Sequence, residues 1–261
     1  VKNATTKNRN LNKRSPAGAK DDCMKPFSKT AAAVAIALSA VFTSAATAQD
    51  TAPAPAAAVI TSDIDVARKE LGALLGESRS RDPVARARAV TAAADYAAAH
   101  PTLEDMAYHI ATGLLNDKED GVRIATMTTL GRLGMNQTPA GTTSIAILGQ
   151  ILNRKTISPA VRVAAIDALG VAGSTNKDSS HIAYTYAAPG LKHTDATVRH
   201  AAIEAAGAIA AVFPQNRVAY NTVNNVGLLL GDTDPAVSTA AKAVVTKICT
   251  ANTNLNCPPI P

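Results

Sequence analysis

Tryptophan is absent, and phenylalanine and tyrosine together number only eight, so aromatic side chains supply 3% of the chain. A core organised around large rings, as in many sandwiches and barrels, is thereby disfavoured. Ala, Leu, Val and Ile must fill the interior, which suits closely packed helices. Cysteine is scarce as well. The three that occur form no C-x-x-C pair and have no histidine at metal-ligand spacing, which argues against a redox motif or a zinc site. A basic field is also missing from most of the chain. Residues 1–48 carry eight Lys or Arg against two Asp, while residues 49–261 carry 18 basic and 18 acidic side chains. The overall charge of +6 therefore belongs to the N-terminal stretch, and the remainder has no electrostatic footprint for nucleic acid.

What is present is a repeat. Ser158 to Gly170, SPAVRVAAIDALG, shares its pattern of capping residue, Val-Arg pair, small-residue run and apolar stripe with DPVARARAVTAAA from Asp82, EDGVRIATMTTLG from Glu119, DATVRHAAIEAAG from Asp195 and DPAVSTAAKAVVT from Asp234. The position of Val161 recurs at Ala85, Val122, Val198 and Val237, at spacings of 37 to 39 residues. That period is the mark of stacked helix pairs. The second helix of each pair starts at Asp82, Glu119, Ser158, Asp195 or Asp234, with Pro83, Pro159 and Pro235 at the first helical position, where a missing N–H costs nothing. The first helices end in the related phrases GALLGE, TGLLND, GQILNR, PGLKHT and GLLLGD. Gly131, Gly170 and Gly207 are expected to end three of the second helices, and Pro189 to kink or shorten a first helix.

The N-terminal stretch reads differently. From Met24, Lys25 and Lys29 precede an apolar run from Ala31 to Phe42 and an A-x-A ending at Ala48, the layout of a cleaved secretory signal. The run is too short for a permanent membrane span. The sequence thus predicts a non-native upstream extension at 1–23, a signal peptide at 24–48 cut after Ala48, an Ala/Pro linker at 49–61, a solenoid at 62–249 and a tail at 250–261. The expected compartment is periplasmic or secreted. In such an oxidising setting Cys249 and Cys257 are expected to pair as a disulfide that pins the tail.

The phrase D-P-x-V-R-x-A-A-x-x-A-L-G, best kept in SPAVRVAAIDALG and EDGVRIATMTTLG, resembles the HEAT-like repeat family, the repeat type also found in phycobilin lyase subunits. The resemblance covers about residues 62–249. It implies an all-α, α-α superhelix of the HEAT/armadillo type with about five helix pairs, right-handed, whose second helices line a concave surface that holds a partner. It is specific for fold and says little of function, since such repeats serve in scaffolds, lyase subunits and a hydroxylase. The adjacent His-Glu dipeptides of the hydroxylase branch are absent. In the last unit Ser238 stands in place of the arginine and Lys242 in place of an apolar residue, as befits a polar end cap.

Candidate partner-binding residues are Arg123, Arg162, Asp167, Arg199, His200 and Glu204. With Arg86, the arginines share one repeat position and form a ladder. They serve either as an anion-binding rail or as cross-links between helix starts, and the neutral remainder of the chain favours cross-links, with Asp195 the expected partner of Arg162. Asp167 and Glu204 share another position, off the apolar stripe, and His200 lies one helical turn before Glu204. The three could converge on a metal or act as acid and base, but only two share a helix, and an ordinary i, i+4 contact is the simpler reading. At least one of Tyr184 and Tyr186 is expected at the surface, since one helical face cannot hold both. No catalytic constellation and no cofactor-binding motif is visible. The reading is a non-enzymatic protein-binding or scaffold module of the bacterial cell envelope. The alternatives are a lyase-type or chromophore- or ligand-handling subunit, as in the phycobilin lyase proteins with such repeats, and a membrane-tethered structural protein, which would need an uncleaved leader.

Overall fold

The computed structural model describes residues 55–260 apart from 176 and 214–216, with side chains from Asp63 onward. The upstream extension, the signal peptide and the start of the linker lie outside the described residues. Most of the described residues are helical: α1 (Pro55–Glu77), α2 (Pro83–Ala99), α3 (Glu104–Gly113), α4 (Asp120–Leu133), α5 (Pro139–Leu152), α6 (Pro159–Gly173), α7 (Lys177–Ala187), α8 (Ala196–Val212), α9 (Arg217–Gly227) and α10 (Pro235–Ala251). There is no strand among the described residues. The helices form five antiparallel pairs, an all-α repeat solenoid. The second helices α2, α4, α6, α8 and α10 stack on one another as an inner layer, and the first helices α1, α3, α5, α7 and α9 lie outside. The inner helices pack against one another more extensively than the outer ones do.

Local chemistry sets the helix starts. Asp82, Ser158, Asp195 and Asp234 each accept a hydrogen bond from a backbone N–H of the first turn, with Pro83, Pro159 and Pro235 following three of them. Such a cap stabilises a helix by about 1 kcal/mol. Glu119 stands at the cap of α4 but makes no capping bond with its side chain. The carboxylate of Asp117 accepts from the Glu119 N–H instead, at 3.0 Å. Pro189 acts as its chemistry requires: α7 stops at Ala187 and the chain continues as a 3-10 turn, Ala188–Lys192.

Two sequence expectations fail here. Helix α1 begins at Pro55, inside the stretch read as an extended linker. Pro55 occupies the first helical position, where proline is tolerated, and the following Ala-Ala-Ala run favours helix strongly. The second failure concerns Gly131, Gly170 and Gly207. None ends its helix, since α4, α6 and α8 run on to Leu133, Gly173 and Val212. Each glycine instead lies against the next inner helix. A Cβ would stand 2.8 Å from Ala168 Cα at Gly131, 3.0 Å from Ala205 Cα at Gly170 and 2.7 Å from Val244 Cγ2 at Gly207. Glycine facing alanine lets neighbouring backbones come close, and the alanines of α8 on its packed faces are buried. The scarcity of aromatics is thus a condition of the spacing between repeats.

Candidate partner-binding groove

The arginine ladder is built from both repeat edges. Arg86 on α2 donates from Nε and Nη2 to the two carboxylate oxygens of Asp117, at 2.6 and 2.8 Å, and from Nη1 to the carbonyls of Ser80 and Arg81. Arg199 on α8 repeats the arrangement with Asp232, at 2.8 and 2.7 Å, and with the carbonyls of His193 and Thr194. Both pairs are largely shielded from solvent. The hydrogen bond from Arg86 is the main reason that the Asp117 carboxyl sits below its ordinary range, and the bond from Arg199 does the same for Asp232. Each acid lies two residues before the cap of the following second helix.

The corresponding positions ahead of α6 and α8 hold Thr156 and His193, which carry no carboxylate. The two central arginines therefore behave differently. Arg123 turns back to Asp120 in its own helix, and its Nε is buried with no hydrogen-bond partner. Arg162 donates to the carbonyls of Leu152 and Arg154, at 2.6 and 3.0 Å. The expected Arg162–Asp195 pair does not form, because Asp195 is engaged as a cap, accepting from the Thr197 N–H and hydroxyl. The ladder is a set of structural braces at its two ends, with Asp117 and Asp232 as the partners that sequence reasoning missed. A visible signal existed: aligning the repeats on their caps places both acids in one column. In the last unit Ser238 donates to the Leu230 carbonyl at 2.6 Å, a neutral replacement for the arginine.

Asp167, His200 and Glu204 do come together. They line a groove of 590 Å³ across α6, α8 and the start of α10, whose other walls include Val163, Thr197, Ala201, Asp234 and Ala236. Asp167 and Glu204 are exposed on the inner face, as the repeat pattern requires. Desolvation raises the Asp167 pKa above the ordinary 3.8, opposed by the nearby His200 and reinforced by the negative charge of Glu204. Among the described residues no group of three His, Cys, Asp or Glu side chains is disposed to hold a metal ion. Beyond Glu204 a smaller hollow of 240 Å³ continues past Gly207 and Ala208 to Lys247.

Tyr184 and Tyr186 lie on α7, in the outer layer. Tyr184 is buried, and its hydroxyl accepts a hydrogen bond from Asn225 Nδ2 at 2.8 Å. Tyr186 is half-buried over Gly149, which leaves room for the ring because it has no Cβ. The expectation of a surface tyrosine from this pair is met only in the partial exposure of Tyr186. A second cavity of 510 Å³ lies between the end of α7 and α9, beside Tyr184, Asn221, Asn225 and Leu228. At the C-terminus, Cys249 and Cys257 have Cα atoms 6.2 Å apart with their sulfurs at bonding distance. No described helix is long and apolar enough to cross a membrane.

No protein-family model matches the chain, and no curated protein matches it in sequence. Solved structures do match. Two engineered proteins from a structural genomics consortium are each 19% identical over 69% of this chain, covering 79% and 81% of theirs, with TM-scores of 0.51 and 0.52. A designed armadillo repeat protein in complex with the peptide (KR)4 is 16% identical over 67% of this chain and 80% of its own, with a TM-score of 0.50. At these identities the likeness concerns the fold, a helical repeat solenoid.

Proposed function

We propose that this protein is a non-enzymatic scaffold that docks an extended segment of another protein along its inner face. The observation that carries the reading is the groove across α6, α8 and α10, in which Val163, Ala201 and Ala236 provide an apolar floor and Asp167, His200, Glu204 and Asp234 provide polar contacts. A rigid stack of short-side-chain helices holds such a surface without cost in ordering. The designed armadillo repeat protein in complex with the peptide (KR)4 supports the reading as a peptide-binding protein of similar fold. The HEAT-like pattern belongs to the same reading. So does export: a signal ending at Ala48 and a Cys249–Cys257 disulfide would place the scaffold in the bacterial envelope. Mass spectrometry of the protein recovered from cells should then find Gln49 at the N-terminus and no free thiol. Docking is tested by photo-crosslinkers placed at Val163 or Val171 on the inner face and at Ile182 on the outer face. Partner crosslinks from the inner positions alone are expected. Crosslinks from Ile182 alone would move the binding surface to the outer layer.

A further inference from the structure

The polar links between neighbouring repeats are unevenly distributed. Repeats one and two are joined by Arg86–Asp117, by Arg132–Asp95 at 2.7 Å and by the Thr129 hydroxyl donating to the Val90 carbonyl. Repeats two and three are joined by Arg154 to Asn116 and by Thr138 to Glu104. Repeats four and five are joined by Arg199–Asp232 and by Asn225 to Tyr184. Between repeats three and four, no hydrogen bond or ion pair connects α6 or its preceding loop to α8 or its preceding loop among the described residues. Apolar packing, such as Gly170 against Ala205, holds this junction.

What faces across it is a like-charge pair. Asp167 on α6 and Glu204 on α8 line the same groove, and the Asp167 pKa, raised chiefly by desolvation, is lowered by the nearby His200 and raised further by Glu204. The groove has room for a long side chain. Among the described residues no triad of ligating side chains is arranged there for a metal.

We infer that the inner groove takes an isolated Lys or Arg side chain of the partner segment, seated between Asp167 and Glu204, where it links the third repeat to the fourth as Arg86–Asp117 and Arg199–Asp232 link the ends. The inference rests on the inner-face docking reading and specifies its chemistry. Small neighbours on either side of the basic residue fit the floor of Val163, Ala201 and Ala236. A second adjacent cation is disfavoured, because Lys247 lines the adjoining hollow beyond Glu204. The occupant is therefore a segment with one basic residue and not a polybasic tract.

The test uses the full chain and three fluorescein-labelled peptides of Gly, Ser and Ala that differ only at the centre: arginine, its neutral isostere citrulline, or glutamate. Anisotropy titrations should show the arginine peptide binding about tenfold more tightly than the citrulline peptide, the ratio supplied by one charge-assisted hydrogen bond, and the glutamate peptide most weakly. The preference should weaken with added salt. Asp167→Asn combined with Glu204→Gln should abolish the preference without lowering Tm. Asp167→Arg, which sets an internal cation against Glu204, should raise Tm and eliminate arginine-peptide binding. If Asp167→Arg does not fold, the neutral pair of substitutions decides. Equal binding of arginine and citrulline peptides, a preference that survives the neutral pair, or no binding of any peptide overturns the inference. Inner-face crosslinks together with equal peptide binding would remove this inference and leave the docking reading in place, whereas crosslinks from Ile182 alone would remove both.

Discussion

The end junctions of the solenoid and its centre solve the same packing problem with different means. At the ends, a largely shielded arginine spans to an acid two residues ahead of the next cap, in Arg86–Asp117 and Arg199–Asp232. At the centre, Arg123 and Arg162 find no such acid, and between α6 and α8 two carboxylates face a shared groove. The difference shows how one repeat motif separates duties along the chain. Where the ladder is closed, the arginine is committed to stability. Where it is open, the inner surface keeps the polar groups that the proposed docking would use.

Close glycine contacts are common to both regions, and substituting them should have the largest effect. Gly170→Ala places a methyl group 3.0 Å from Ala205 Cα and should destabilise the protein by about 1–3 kcal/mol through overpacking, read by urea denaturation. Gly72→Ala in α1, where nothing lies within 4 Å of the new methyl, should instead stabilise by about 0.5–1 kcal/mol. A similar outcome for both would mean that glycine is not setting the repeat spacing.

Acid titration separates the braced end from the open centre by sign. Asp117 is held below the ordinary 3.8, chiefly by the Arg86 hydrogen bond, so its contribution to stability is complete above that value and is lost as pH falls through the lower folded pKa. Asp117→Asn should lower Tm at neutral pH, and the gap from the parent should close in strong acid. Asp167 is raised, chiefly by desolvation, so its ionised form costs stability above the folded pKa, and the cost is relieved as pH falls toward 3.8. Asp167→Asn should thus leave Tm equal or higher at neutral pH. Thermal melts across pH should show the two variants diverging from the parent in opposite directions.

Closing the open rung is a gentler test. Thr156→Asp supplies the column of Asp117 and Asp232 with its missing acid, gives the buried Arg123 Nε an acceptor, and should raise Tm by about 2–4 °C. The increase should disappear when Arg123→Ala is added. The smallest effect belongs to Arg162 and Asp195, which do not bond to each other. A double-mutant cycle with alanine at both should give a coupling within about 0.3–0.5 kcal/mol of zero, the range for independent sites.

The fold was largely legible in the residues because caps and periodicity are local. Asp82, Ser158, Asp195 and Asp234 cap the helices they announce, and Pro189 halts α7. The glycines were misread for a definable reason: Gly131 ends an apolar phrase as a helix stop does, but the neighbour that requires its bareness, Ala168, lies in the next repeat. The groove was half legible. The shared position of Asp167 and Glu204 put both on the exposed inner face, whereas the contribution of Asp234 and the partner choices of Arg123 and Arg162 depend on how far one repeat is rotated against the next.

By itself the sequence determined the period, the five helix pairs, the starts of the second helices and the small-residue composition of the inner layer, because each follows from bonds and rotamers within a few residues of chain. Only the tertiary structure decided which acids meet the arginines, which glycines are contacts and where the inner face opens into a groove. Those outcomes depend on the register between stacked repeats, and register is fixed by side chains more than thirty residues apart that interlock only once the helices are packed.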